Sequence, residues 1–226
     1  MSSEAPPPPS QEYQTERGLG RITGFSDAVV AIAITLLVLP LIDVAKESTS
    51  TDFTFLFREK WYSFFAFILS FVVVGWFWRF HHSFYEHVVG YNQKLILTNL
   101  LWLLTIVFLP FPTAVLADSN AQNPLAIGLY IGTVALTSFA ELLQTYIVRS
   151  NPELSASGTG KEFRLTSGII TTIILIVAGI IGVLFPHIGV LALLLLVVEG
   201  YIRRLLRILK LRKKQRRKAI LDESDE

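Results

Sequence analysis

The chain has 226 residues and a net charge of +2; 52% of its residues are hydrophobic and only 17% are charged. Several uncharged stretches are long enough to cross a bilayer core of about 30 Å, which excludes a soluble globular protein and predicts a polytopic membrane protein. They cover residues 61–78, 95–117, 119–140 and 165–198. The absence of cysteine excludes thiol nucleophiles, disulfides and cysteine-based metal sites.

The chain begins with a polar segment that is too hydrophilic to bury. Residues 1–16 contain four consecutive prolines in an acidic setting and are predicted to be a disordered tail. They lack a basic region followed by an apolar stretch, so no cleaved signal peptide is expected. The first membrane helix is predicted over residues 20–42, with a polar start and an uncharged remainder.

Three further helices follow, over residues 61–80, 94–117 and 124–148. The second is rich in phenylalanine and tryptophan. The third contains Pro110 and Pro112 near its end, which should kink or terminate it. The fourth begins at Pro124, and proline is well tolerated at the first position of a helix.

The run 165–198 is too long for one membrane helix. Its 34 residues would extend roughly 51 Å at the helical rise per residue. Proline, histidine and glycine within residues 185–189 divide it, so a fifth helix is predicted over 164–185 and a sixth over 189–209. The predicted fold is therefore an all-α membrane domain of six helices over residues 17–211, followed by a basic and then acidic tail over 212–226.

The distribution of positive charge supports six helices with both termini in the cytoplasm. In that topology seventeen lysines and arginines lie inside and only three outside, as the positive-inside rule requires. Ten of the inside cations fall within residues 203–218. They are interpreted as an orientation signal and a contact for anionic lipids of the plasma membrane. Nucleic-acid binding is not expected, because a membrane helix precedes this segment and an acidic end, 222–226, follows it.

Polar residues at the cytoplasmic ends of the first three helices form the main candidate site. By helical rise Asp27 lies roughly 9 Å deeper than Arg21 and needs a donor or cationic partner. Candidate partners at that level are the end of helix two, Trp78-Arg79-Phe80-His81-His82, with His87 just beyond it, and Asn99 and Trp102 of helix three. Three interpretations remain open: an interfacial helix start, a buried hydrogen-bonded network, and a metal site. The histidine spacing does not favour a metal, because no two of them share a helical face.

These residues resemble a known family. Arg21-x-x-x-Phe25-Ser26-Asp27 and the apolar run after it are similar to the first helix of the transmembrane protein 175 family, the potassium channels of bacterial membranes and lysosomes. The tryptophan and histidine pair ending helix two, Asn99-x-x-Trp102 and the Phe-Leu-Pro-Phe-Pro-Thr element of residues 108–113 also resemble that family. The resemblance covers about residues 17–211.

The resemblance implies a homotetrameric, potassium-preferring channel whose pore is lined by helix one. The constriction would be formed by Ile32, Leu36 and Leu39, and the Thr35 hydroxyl would contribute to selectivity. Hydrophobic constrictions can gate a pore by dewetting. On the other side of the helix, a structural polar network would hold it against helices two and three. Its members are Arg21, Phe25, Ser26, Asp27, Trp78, His81, His82, Asn99 and Trp102.

A proton-coupled secondary transporter is the alternative. Its relay would use Asp27, Glu141 and the histidines His81, His82 and His87. No internal duplication of the kind common in transporters is visible in the sequence. An enzyme is not predicted, because no nucleophile–base pair or metal-ligand spacing occurs, and no cofactor is expected.

Overall fold

The computed structural model describes residues 16–47, 53–119, 123–156 and 165–184, and these are almost entirely helical. The helices are α1 (Glu16–Leu36), α2 (Leu39–Glu47), α3 (Phe53–Glu59), α4 (Trp61–Tyr85), α5 (Gln93–Phe108), α6 (Pro110–Asp118), α7 (Pro124–Ser150) and α8 (Leu165–Leu184). A short 3-10 turn, Pro152–Leu154, follows α7.

Within the described residues, four helical segments are long and apolar enough to cross a membrane, so this is a multi-pass membrane protein. They are Arg17–Lys46, Trp61–Tyr85, Gln93–Asp118 and Pro124–Ser150. The uncharged helix α8 occupies the place of the predicted fifth helix. The predicted sixth helix, the basic segment 203–218 and both tails lie outside the described residues.

Two prolines interrupt predicted helices. The predicted third helix divides into α5 and α6 immediately before Pro110, which confirms the expected break. The predicted first helix was expected to be continuous, but α1 ends at Leu36 and α2 begins at Leu39. Pro40 explains this difference, because it has no amide hydrogen to donate to the Leu36 carbonyl and its ring crowds that carbonyl.

The predicted second helix was too short. It continues to Tyr85, so that His81 and His82 lie within α4 rather than at its end. The added turn is stabilised by burial of Phe84 and Tyr85 in an apolar cluster with Leu95 and Val148.

The main core lies among α1, α4, α5, α6 and α7. Its largest fully buried side chains are Trp102, Tyr130 and Phe77. Inside it, the Ser70 hydroxyl lies 2.8 Å from that of Thr113 and 3.1 Å from that of Tyr130. This buried polar contact links α4, α6 and α7 and was not predicted from the sequence.

Helix α8 packs along α7. Ser138 Oγ lies 3.0 Å from Thr172 Oγ1, and a Cβ on Gly128 would lie only 2.8 Å from Val183 Cγ2. A Cβ on Gly132, one turn further along α7, would meet no atom of the described residues within 4 Å. Of the two small residues in the Gly128-x-x-x-Gly132 pattern, Gly128 is therefore the one that permits close helix packing here.

Candidate functional site

Helix α1 has one buried and one exposed side. Ser26, Val30 and Ala33 of α1, and Leu37 directly after its end, are buried against the rest of the chain. They are spaced by four, three and four residues, which places them on one helical face. Beside this face Val29 and Ile34 are partly buried against the core, whereas Ala28, Ala31, Ile32 and Leu36 are exposed, so the described part of the chain covers residues 26–37 from one side.

A chain of hydrogen bonds joins α1, α5 and α4 across this buried face. Asn99 Nδ2 donates to Ser26 Oγ over 2.9 Å, and Ser26 Oγ in turn donates to the Ile22 carbonyl over 2.9 Å. Asn99 Oδ1 lies 2.8 Å from His81 Nε2. An amide oxygen can only accept, so Nε2 of His81 carries the hydrogen. All three side chains are buried, which makes their pairing costly to break.

The His81 ring is also held between aromatic side chains. It stacks on Trp102 with a centroid distance of 4.1 Å and an interplanar angle of 14°. The Tyr85 ring lies 4.6 Å away at 39°. With its orientation fixed by both rings and by Asn99, His81 is a structural link between α4 and α5.

Asp27 has a separate partner on α4. Trp78 Nε1 donates a hydrogen bond of 2.9 Å to Asp27 Oδ1, so the donor that Asp27 requires is an indole. The His82 ring stacks on Trp78 at 5.6 Å, and its Nε2 lies 3.6 Å from Glu86 Oε1. Unlike the Ser26–Asn99–His81 chain, this second group lies at the edge of the bundle, where Trp78, His82 and Glu86 are exposed.

Together, these contacts bring Ser26, Asp27, Trp78, His81, His82, Asn99 and Trp102 into two adjacent groups, referred to below as the polar anchor. Arg21 and Phe25 were expected in the same network, but the structure does not place them there. Both are exposed, and Phe25 is 56% exposed. The physical reason is helical periodicity, since both residues lie on the side of α1 that faces away from α4 and α5.

The residues expected to line a pore lie on this uncovered side of α1. Ile32 is 62% exposed and Leu36 is also exposed. Thr35 is exposed and donates its hydroxyl hydrogen to the Ile32 carbonyl over 2.7 Å, so its oxygen can still accept a hydrogen bond. Leu39 is exposed as well, but it follows the helix break and belongs to α2. Its alignment with Ile32 therefore depends on the geometry at Leu37 and Val38.

The residues of the alternative relay differ in their surroundings. Glu141 is buried in α7, and its Oε1 has no hydrogen-bond partner among the described residues. Gln144, one turn away, is likewise unpaired within the described part of the chain. His87 Nδ1 lies 2.8 Å from the Ser83 carbonyl, outside the polar anchor. Within the described ranges, no three histidine, aspartate or glutamate residues are grouped closely enough to hold a metal ion.

Sequence reasoning did not identify the contact between Tyr91 and Gly18. A Cβ on Gly18 would come within 3.0 Å of two ring carbons of Tyr91. No local signal reveals this contact, because the two residues lie far apart in the chain and neither belongs to a recognised motif. Glycine near a helix start was the only hint available.

The segment that forms α1 and the polar anchor is shared with known proteins. A family described as the endosomal/lysosomal potassium channel TMEM175 matches residues 21–110, the segment that contains the whole polar anchor. A potassium channel of Chryseobacterium sp. (strain P1-3) is 35% identical over 140 residues, which cover 60% of this chain and 68% of that protein. The chain belongs to the TMEM175 family.

Other TMEM175 relatives match over shorter segments. A potassium channel of Streptomyces collinus is 39% identical over 99 residues, or 44% of this chain and about half (48%) of that protein. One from Chamaesiphon minutus is 36% identical over 116 residues, or 50% of this chain and 57% of that protein.

The TMEM175 fold is also found among solved structures. The crystal structure of a lysosomal potassium-selective channel TMEM175 homolog from Chamaesiphon minutus matches with a TM-score of 0.65 at 25% identity, covering 83% of this chain and 98% of that one. A variant of the potassium channel MtTMEM175, crystallised with a nanobody fusion protein, matches with a TM-score of 0.50 at 18% identity. It covers 90% of this chain and 99% of that one, which supports the fold alone.

Proposed function

We propose that this protein is a subunit of a potassium-preferring cation channel in the plasma membrane, with both termini in the cytoplasm. Passive conduction would follow a pore lined by α1. The proposal is supported by membership of the TMEM175 family and by the names of its relatives, which are potassium channels.

The single observation that carries the proposal is the two-sided environment of α1. One side is fixed by the polar anchor, while the other leaves Ile32, Thr35 and Leu36 exposed in an isolated chain. Four chains arranged around an axis would bring these uncovered sides together. Ile32 and Leu36 would then form hydrophobic constrictions, and the Thr35 hydroxyls would be the polar groups nearest to a permeating ion.

Selectivity in such a pore would differ from that of a carbonyl-lined filter. The sequence has no Thr-Val-Gly-Tyr-Gly element, so no ring of backbone carbonyls of that kind is available. Discrimination would depend on the width of the constriction and on the hydroxyl of Thr35. We therefore expect a preference for potassium over sodium that is modest.

A bi-ionic reversal potential tests this proposal. Purified protein in a planar bilayer would face potassium on one side and sodium on the other, at equal pH. A reversal shifted toward the potassium equilibrium potential supports the channel, and a reversal near zero makes the pore a non-selective cation conductance. Ion uptake that occurs only under a pH gradient, without current, would instead indicate the proton-coupled transporter.

A further inference from the structure

A tyrosine outside the polar anchor lies against the first turns of α1. Tyr91 belongs to the connection between α4 and α5 and is only 8% exposed. Its ring carbons Cε1 and Cζ would both lie 3.0 Å from a Cβ on Gly18, and its hydroxyl would lie closer still. A side chain at position 18 would therefore require the Tyr91 ring to shift, because the ring occupies the space next to Gly18.

The segment that carries Tyr91 is itself fixed to the segment that follows α7. Val89 donates its backbone N–H to the Leu154 carbonyl over 2.9 Å, and Ala156 donates to the His87 carbonyl over 3.2 Å. Val88 and Ser155 form an antiparallel bridge between these segments. Tyr91 therefore lies two residues beyond a hydrogen-bonded segment and is itself buried.

The beginning of α5 adds a second constraint on this segment. Asn92, next to Tyr91, caps α5 by accepting a hydrogen bond of 2.9 Å from the Leu95 backbone at its Oδ1. Leu19, next to Gly18, packs in the same apolar cluster as Tyr91, Leu95 and Leu154. The first turn of α1 thus packs on a surface formed by α5, by the connection between α4 and α5, and by the segment that follows α7.

Gly18 lies on the same stripe of α1 as exposed residues further along the helix. Gly18, Phe25 and Ile32 are spaced by seven residues, which is nearly two helical turns and places them close to one stripe. The other fixed point of the helix is Ser26, bonded to Asn99. The two points are roughly 12 Å apart along the axis. Two such contacts on different sides of a helix define its rotation as well as its tilt.

We propose that Tyr91 is a positioning residue for the pore helix. Resting on Gly18, it sets the rotation of α1 about its own axis and thereby the direction in which Ile32 points. This inference rests on the proposed function, in which α1 lines the pore, and it assigns to the α4–α5 connection a role in conduction that the polar anchor does not fulfil.

The test uses matched glycine variants. Gly18→Ala adds a methyl group against Tyr91, whereas Gly20→Ala adds one where no atom of the described ranges lies within 4 Å. We expect Gly18→Ala to lower potassium flux into proteoliposomes about fivefold or more, in the range produced by coupling between contacting residues, and Gly20→Ala to leave it within about twofold. In a Tyr91→Ala background the added methyl has room. The double variant should therefore differ in potassium flux from Tyr91→Ala alone by less than about twofold.

A distance measurement makes the test independent of conduction. The chain contains no cysteine, so Gly24→Cys and Leu97→Cys provide a unique pair of spin-label sites on exposed positions of α1 and α5. With labelled chains diluted in unlabelled ones, pulsed electron double resonance reports the distance within one chain. Gly18→Ala should shift this distance, and Tyr91→Phe, which retains the ring, should not.

The outcomes separate the two proposals. If the label distance in Gly18→Ala equals that in Gly20→Ala, or if the shift persists in the Tyr91→Ala background, Tyr91 does not position α1 and the inference is overturned. If the distance shifts as expected but the unaltered protein carries no potassium, positioning of α1 is upheld and the channel proposal fails.

Discussion

The indole nitrogen of Trp78 donates a hydrogen bond of 2.9 Å to Oδ1 of Asp27, joining α4 to α1 at the edge of the bundle. The preceding residue, Ser26, points into the interior and is bonded to Asn99. Consecutive residues of the Phe-Ser-Asp element thus reach two different helices. This explains why a serine and an aspartate occur side by side in an otherwise apolar membrane helix.

Asp27→Ala should impair stability and assembly more than ion preference. The substitution leaves the Trp78 N–H without its acceptor, and because Trp78 is exposed we expect the loss to be that of an ordinary hydrogen bond, about 0.5–1.5 kcal/mol. Thermal unfolding of the detergent-solubilised protein measures the loss. Asp43→Ala is the control, because its exposed pair with Lys46 contributes at most about 1 kcal/mol. A stable Asp27→Ala protein with an altered reversal potential would show that Asp27 acts in the pore instead.

Ile32→Ala should raise unit conductance and reduce potassium preference. A smaller side chain widens the proposed constriction and makes it easier to wet. Planar-bilayer recordings of reversal potential and single-channel current measure both effects. Ile68→Ala removes the same side chain from an exposed position on α4 and should alter neither quantity. If Ile32→Ala and Ile68→Ala show the same conductance and reversal potential, Ile32 does not line the conduction pathway.

Pro40→Ala should join α1 and α2 into one continuous helix. The new amide can donate to the Leu36 carbonyl, and the clash of the proline ring with that carbonyl disappears. We expect slower amide hydrogen exchange over residues 37–42, followed by mass spectrometry. Pro124→Ala is the control, because a proline at the start of α7 replaces no helical hydrogen bond. If hydrogen exchange over residues 37–42 is unchanged in Pro40→Ala, the break between α1 and α2 is caused by packing around Leu37 and not by the proline.

Gly128→Ala should destabilise the protein, whereas Gly132→Ala should not. The methyl group at position 128 would meet Val183, a branched and stiff side chain, at 2.8 Å. Overpacking of this kind costs about 1–3 kcal/mol. At position 132 the methyl meets no atom within 4 Å in the part of the chain that the structure describes, and it improves helix propensity. Unfolding temperatures compare the two variants directly. Equal values would mean that α8 moves away from α7 to accommodate the added methyl group without loss of stability.

The sequence by itself determined the membrane character and most of the helices. Hydropathy is a local property, and the thickness of a bilayer converts a long uncharged run into a spanning helix. The same local logic located the break at Pro110, because proline prevents helix continuation in any context. It applies equally to Pro40, whose effect on α1 is readable from the chain but was not predicted.

Only the tertiary structure decided which partner each polar residue has and which side of α1 stays open. That helix is apolar on nearly every face, so its periodicity cannot select the exposed stripe that contains Ile32. Selection comes from contacts distant in sequence, such as Ser26 with Asn99 and Gly18 with Tyr91. Their energy depends on how α4, α5 and α7 are arranged in space, which no local sequence pattern encodes.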